Sequence, residues 1–270
     1  MTSAWHERAG LRLSVSETGT GRTFLFQHGL CADAGQPAEV FPAGAGWCCL
    51  TLECRGHGRS EPGPLEDLSI ATFGDDVASL LEARGTAAVV GGISLGAAIA
   101  LRLAVRRPDL VRALVLARPA WVDGAGPANM KPNALVGELL ERFAPAEALS
   151  RFEASETARR LAAEAPDNLA SLRGFFSREP RQVTSALLRR ISADGPGLGP
   201  KELAAIRVPT LVLGTARDLV HPLSHVAALA AAIPGAHRVE ITSKAESRDR
   251  YREEFRAALG RFLGELVHET

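Results

Sequence analysis

The chain has 270 residues, 46% of them hydrophobic and 23% charged, with 31 basic side chains balanced by 31 acidic ones. That composition excludes intrinsic disorder, and the length suits one large domain or a core with an inserted subdomain. Zero formal charge with scattered basic residues leaves no electrostatic footprint for nucleic acid or an anionic membrane.

In chain order, residues 1–8 lack a basic stretch followed by an apolar one, so no secretory signal is expected. Residues 23–27 (TFLFQ) and 48–53 (CCLTLE) read as strands, each running into a glycine-containing turn. Cys31, Cys48, Cys49 and Cys54 form no C-x-x-C pair and read as buried free thiols of a reducing cytoplasm, the expected location. Thr72 can cap a helix that carries Phe73, Val77, Leu80 and Leu81 on one face and closes at Gly85.

Residues 87–101 are nearly free of polar groups but shorter than the ~20 residues a bilayer requires. Gly91, Gly92, Ser94 and Gly96 suit a buried strand (87–90), a sharp turn and a helix (95–107) stopped by Pro108, so the span reads as core. Further strands are expected at 113–117, 210–213 and 238–241, and Phe255, Leu259, Phe262, Leu263 and Leu266 mark a closing helix. Strands alternating with helices predict a parallel sheet flanked by helices. Between 117 and 208 the strand signal vanishes; Leu135/Leu139/Phe143, Leu169/Leu172/Phe176 and Val183/Leu187/Ile191 repeat at helical spacing. Residues 123–205 therefore read as a helical insert, placed to roof a ligand site at the carboxyl ends of the strands.

The sharpest chemical signal is Gly92-Ile93-Ser94-Leu95-Gly96, a G-x-S-x-G between a short apolar strand and a helix. A serine on so tight a turn is strained, its neighbours two positions away must be small, and its hydroxyl is presented at a helix N-terminus. Upstream, Phe26-Gln27-His28-Gly29-Leu30 ends a strand. The backbone N–H groups of Leu30 and Leu95 can together form an oxyanion hole, a contribution often worth ~3–4 kcal/mol in the barrier. His28 reads as a histidine holding that loop, with a position lining the site also open to it, and Cys31 as filler. The turn Glu53-Cys54-Arg55-Gly56-His57-Gly58-Arg59-Ser60 lacks the Gly-Lys-Ser/Thr of a phosphate loop and reads as structural.

His28-Gly29, the 55–60 segment and Gly92-Ile93-Ser94-Leu95-Gly96 come in the order and spacing of the α/β-hydrolase superfamily. The chain resembles its compact capped members, such as enol-lactonases, esterases and C–C bond hydrolases. The resemblance implies an eight-stranded, mostly parallel sheet with a core of residues 1–122 and 206–270 and a helical cap of 123–205. It implies Ser94 as nucleophile and Asp218 as the acid of a catalytic triad, acting on a small-molecule ester, lactone or related carbonyl compound. No HExxH, clustered Cys/His set or dinucleotide glycine fingerprint is present, so neither metal nor organic cofactor is expected.

The family's base histidine follows the last strand, where this chain reads Ile241-Thr242-Ser243-Lys244-Ala245-Glu246 and has none. Three readings stay open. His221, three residues after Asp218, has a suitable ordinary pKa of ~6.5, provided it reaches both partners. Lys244 stands close to the expected place, but as a base at neutral pH it must lose ~3 pK units, about 4 kcal/mol. With neither, Ser94 has no base, and the fold performs lyase, cyclase or isomerase chemistry or only binds a small molecule. Arg118, after the strand at 113–117, can pair with Asp218, with a substrate carboxylate, or with a surface partner. Oligomeric state has no sequence signal.

Overall fold

Side chains along a strand alternate between its faces, and the apolar runs of this chain use that alternation to build two cores around one sheet. The computed structural model describes residues 2–268 apart from 43 and 45. Its strands are β1 (Thr2–Arg8), β2 (Leu11–Gly19), β3 (Arg22–Gln27), β4 (Trp47–Leu52), β5 (Ala88–Ile93), β6 (Val111–Ala117), β7 (Thr210–Thr215) and β8 (His237–Ile241). They lie in the order β1-β2-β4-β3-β5-β6-β7-β8, with β2 antiparallel to both neighbours and every other pair parallel.

The helices are α1 (Gly35–Val40), α2 (Ile70–Arg84), α3 (Leu95–Arg106), α4 (Lys131–Arg142), α5 (Pro145–Glu153), α6 (Glu156–Glu164), α7 (Pro166–Gly174), α8 (Arg181–Ala193), α9 (Pro200–Leu203), α10 (Leu223–Ala232) and α11 (Arg248–His268). On one face Leu25, Leu50, Val90, Leu114 and Val212 pack with α2, α3 and α10. On the other, Phe24, Phe26, Val89, Val115 and Leu213 meet Tyr251, Phe255, Leu259 and Phe262 of α11. Between β6 and β7 the described residues form helices only, and Met130, Val136, Phe152, Leu172, Leu187 and Ile191 of that stretch join the first of these cores. Asp194 ties its far end down, accepting from Ile70 N at 2.7 Å and, through its carbonyl, from the Trp121 indole at 2.8 Å. No described helix is long and apolar enough to cross a membrane.

The six strands read from residue patterns occur within a few residues of their predicted limits; β1 and β2 complete the eight that the resemblance implies but carry no such pattern themselves. β1 is an exposed edge, and β2 buries Ser14 and Ser16 where periodicity looks for apolar side chains. Helix α2 is capped by Ser69 rather than Thr72: Ser69 is extended, and its hydroxyl accepts from Thr72 N at 3.0 Å. Gly85 closes that helix at φ +64°, as predicted.

The turn from β5 to α3 sets the geometry of everything above it. Ser94 adopts φ +57° and ψ −109°, a strained conformation for a residue with a Cβ. It is held by its N–H on the Ala117 carbonyl at 2.9 Å and by its own carbonyl, which accepts from Ala97 N and Ala98 N. A Cβ on Gly92 would stand 2.3 Å from the Gly96 carbonyl carbon, and one on Gly96 only 2.4 Å from the Gln27 carbonyl oxygen. Both obstacles are backbone and cannot move aside. Gly96→Ala should therefore lower unfolding stability by about 3 kcal/mol or more. A urea unfolding midpoint equal to wild type would contradict this account of the turn.

Candidate active site

The strained turn lifts the Ser94 hydroxyl to the carboxyl end of β5, where the residue is only 8% exposed. Its Oγ lies 2.8 Å from His221 Nε2. On the other side of the ring, His221 Nδ1 is 2.9 Å from Asp218 Oδ1 and 3.0 Å from Oδ2. Facing two carboxylate oxygens, Nδ1 carries the ring proton, which leaves Nε2 to accept from the serine hydroxyl. A single loop after β7 thus supplies both acid and imidazole, and His221 has the reach that sequence left open. Its own N–H folds back to Asp218 Oδ1 at 3.0 Å, which pins the ring over the carboxylate.

Asp218 is buried, and burial alone would favour its neutral form; Arg118 and then His221 overcome that and hold the carboxyl well below the usual carboxylate range. Arg118 leaves β6 at φ +45° and donates from Nε and Nη2 to Asp218 Oδ2 at 3.0 and 2.6 Å. Of the partners open to Arg118, the structure selects Asp218. Asn168, on α7, donates to Asp218 Oδ1 at 2.9 Å, and its carbonyl oxygen accepts from Leu219 N and Val220 N at 2.8 and 3.1 Å. Sequence reading missed Asn168, because an asparagine within a helical run carries no signal of what it faces. His221 is pushed below its ordinary value by burial; Asp218 opposes this, while the Arg118 guanidinium, 3.3 Å from Nδ1, adds to it.

A cavity of about 350 Å³ opens in front of Ser94. Leu30, Ile93, Leu172, Phe175 and Val220 give it apolar walls, and Gln36, Asn133, Asn168 and Tyr251 give it polar ones. Gly29 N–H is taken by Gln36 Oε1 at 2.6 Å, so the next amide along the loop is that of Leu30. A Cβ on Gly29 would lie 3.5 Å from Ser94 Cβ, which sets this loop directly against the serine. Leu95 N–H precedes the first intrahelical donors of α3, Ala97 and Ala98.

His28 does not line the cavity. It is fully buried, with Nδ1 on the Gly29 carbonyl at 2.8 Å and Nε2 accepting from Cys54 N at 3.0 Å, and it packs on His57 at 4.7 Å between ring centres. The 53–60 turn is held from within and from α2: Glu53 accepts from Arg59 N at 2.8 Å, Ser60 Oγ donates to the Glu53 carbonyl at 2.6 Å, and Arg55 grips Asp76 of α2 at 2.8 and 2.9 Å. Burial pushes the Cys31 thiol up to about 12, so it stays protonated. Lys244 lines the cavity but hydrogen-bonds neither Ser94 nor Asp218; its ammonium sits over the Tyr251 ring, 4.8 Å from the centre. Among the described residues no group of three His, Cys, Asp or Glu side chains is arranged to hold a metal ion.

A family model described as alpha/beta hydrolase fold matches residues 22–246. A pimeloyl-[acyl-carrier protein] methyl ester esterase of Chromobacterium violaceum is 31% identical over 234 residues, 84% of this chain and 87% of its own. A Klebsiella pneumoniae protein named as a carbamate hydrolase is 34% identical over 191 residues, 66% and 67% of the two chains. Among solved structures, the enol-lactonase from Burkholderia xenovorans superposes with a TM-score of 0.73 at 24% identity, covering 96% of this chain and 99% of that one.

Burial holds His28, His57 and His221 neutral, each with a folded pKa below the ordinary 6.5. Below about pH 6.5 the unfolded chain therefore binds more protons than the folded one, and stability falls as pH falls, by up to about 1.4 kcal/mol per pH unit for each histidine. Urea midpoints should drop between pH 7.5 and 5.5; equal midpoints would mean that these rings are not held neutral.

Proposed function

Because the chain belongs to the α/β-hydrolase family and is a hydrolase, we propose that it cleaves a small ester, lactone or related carbonyl compound through nucleophilic attack by Ser94. His221 takes the hydroxyl proton at Nε2 as Oγ bonds to the carbonyl carbon, and Asp218 stabilises the imidazolium that forms. The Leu30 and Leu95 amides receive the negative charge on the former carbonyl oxygen. As the tetrahedral adduct collapses, His221 returns its proton to the departing alcohol or ring oxygen, leaving an acyl group on Ser94. A water molecule then loses a proton to His221, adds to the acyl carbon and releases the acid, regenerating the serine hydroxyl. The helices of residues 123–205 serve as a cap over the core of residues 1–122 and 206–270.

One observation carries this reading: the continuous line from Ser94 Oγ through His221 to Asp218, at 2.8 Å and 2.9 Å. The lyase, cyclase, isomerase and binding-only readings drew their support from the absence of a histidine after the last strand. An imidazole on Ser94 removes that support. Lys244 is a poor alternative base, because its ammonium rests on the Tyr251 ring without a hydrogen bond to the serine. The esterase and carbamate hydrolase among the relatives agree with cleavage at a carbonyl carbon.

A fluorophosphonate probe should label wild type and leave Ser94→Ala unlabelled. His221→Ala should lower kcat for p-nitrophenyl acetate by about 10⁴–10⁶, and the double variant should be little worse than either single one. Labelling of wild type at another residue, or His221→Ala within tenfold of wild type, would dismiss the proposed triad. His221 must be neutral to accept a proton, and burial sets its pKa below 6.5. We expect kcat/KM to rise with pH through an apparent pKa below 6.5 and then to stay flat to pH 8. A midpoint at or above 7 would contradict this assignment of the base.

A further inference from the structure

We propose that the cavity in front of Ser94 selects substrates bearing a second, acidic group, a carboxylate, and that Lys244 is the residue that holds it. This inference rests on the hydrolase reading and adds the substrate class to it.

The charges that face the cavity can be followed one by one. Three cations line it: Arg118, Lys244 and Arg248. Arg118 is neutralised by Asp218 at 2.6 Å. Glu39, one of two carboxylates on the lining, faces Arg252 at 3.6 Å. Among the described residues neither Lys244 nor Arg248 has a carboxylate within ion-pair distance. Asp167 is the other lining carboxylate; Glu39 and Asp167 both act on Lys244 from beyond ion-pair distance, so no carboxylate of the lining is paired with its ammonium.

Lys244 is the better placed of the two cations. It is half-buried, whereas Arg248 is exposed at the rim. Its ammonium is seated over the ring of Tyr251, and Tyr251 is itself fixed in the core at 2% exposure. An ammonium partly withdrawn from water and paired with no carboxylate is disfavoured, and an incoming anion relieves that cost. Burial and the nearby Arg118 already disfavour the charged lysine, while Glu39 and Asp167 only partly restore it. A cation-π seat keeps the charge in one place without neutralising it, which is the arrangement a preorganised anion subsite needs. The cavity is also small, about 350 Å³, and suits a compact acid ester rather than a long acyl chain.

The test compares monomethyl glutarate with its neutral isostere methyl 5-oxohexanoate. Wild type should favour the acid in kcat/KM by about tenfold or more, the worth of one charge-assisted contact. Lys244→Met should bring the ratio close to one, and Lys244→Arg should restore most of it. Lys201→Met, which removes an exposed lysine from α9, should leave the ratio as it is in wild type. Calorimetry on Ser94→Ala provides a readout free of turnover: monomethyl glutarate should bind, and the added Lys244→Met should weaken binding by a similar factor. A wild-type ratio of one or less, a ratio that survives Lys244→Met, or equal binding with and without Lys244 would each overturn the proposal. If neither ester is hydrolysed yet the anion binds through Lys244, the hydrolase reading fails and the anion site stands.

Discussion

The Asp218 carboxylate is the point on which the site turns. A buried carboxylate is tolerated only where its charge is met and its oxygens are occupied. Here Arg118 comes from the end of β6, Asn168 from helix α7, and both the backbone and the ring of His221 from the loop that carries Asp218 itself. The sheet, the helical segment and the loop after β7 are therefore tied together at one functional group. Displacing any of them would strand a charge away from water, so the positions of the three are coupled more firmly than apolar packing alone would couple them.

From that cluster follows the unusual source of the imidazole. With Asp218 and His221 three residues apart, one carboxylate oxygen accepts from both the main-chain N–H and the ring of the histidine, so the ring is oriented by its own loop. Asn168 adds rigidity by receiving the two intervening amides, those of Leu219 and Val220. In the proposed mechanism this arrangement does the work otherwise expected of a histidine after the last strand. It leaves that position to Lys244, whose ammonium, parked on Tyr251, is suited to holding a charge and ill suited to taking a proton.

Opposite the loop stands a purely steric device. Backbone contacts at Gly92 and Gly96 hold Ser94 at a positive φ, and the Gly29 backbone lies directly against it. The hydroxyl is thus fixed from below by shape and from above by hydrogen bonding. Nearby polar groups that suggest chemistry, His28 and the 53–60 turn, spend their hydrogen bonds on the loops underneath and leave the cavity to Ser94, His221 and the cations around its mouth.

Sequence alone determined what depends on neighbouring residues. The elbow at Ser94 is written in Gly92 and Gly96, and six strands and the helices between them in local periodicity. Buried serines in β2 and an exposed β1 kept those two strands hidden from the same pattern. Tertiary structure decided the partnerships. His221 meets Ser94 across 127 positions of chain, and Asn168 meets Asp218 across 50. No spacing rule links such pairs, because the path of a loop is set by the packing of elements far from it. That is why sequence could name His221 and Lys244 as candidates, while only the folded chain put the imidazole on the serine and the ammonium on a tyrosine ring.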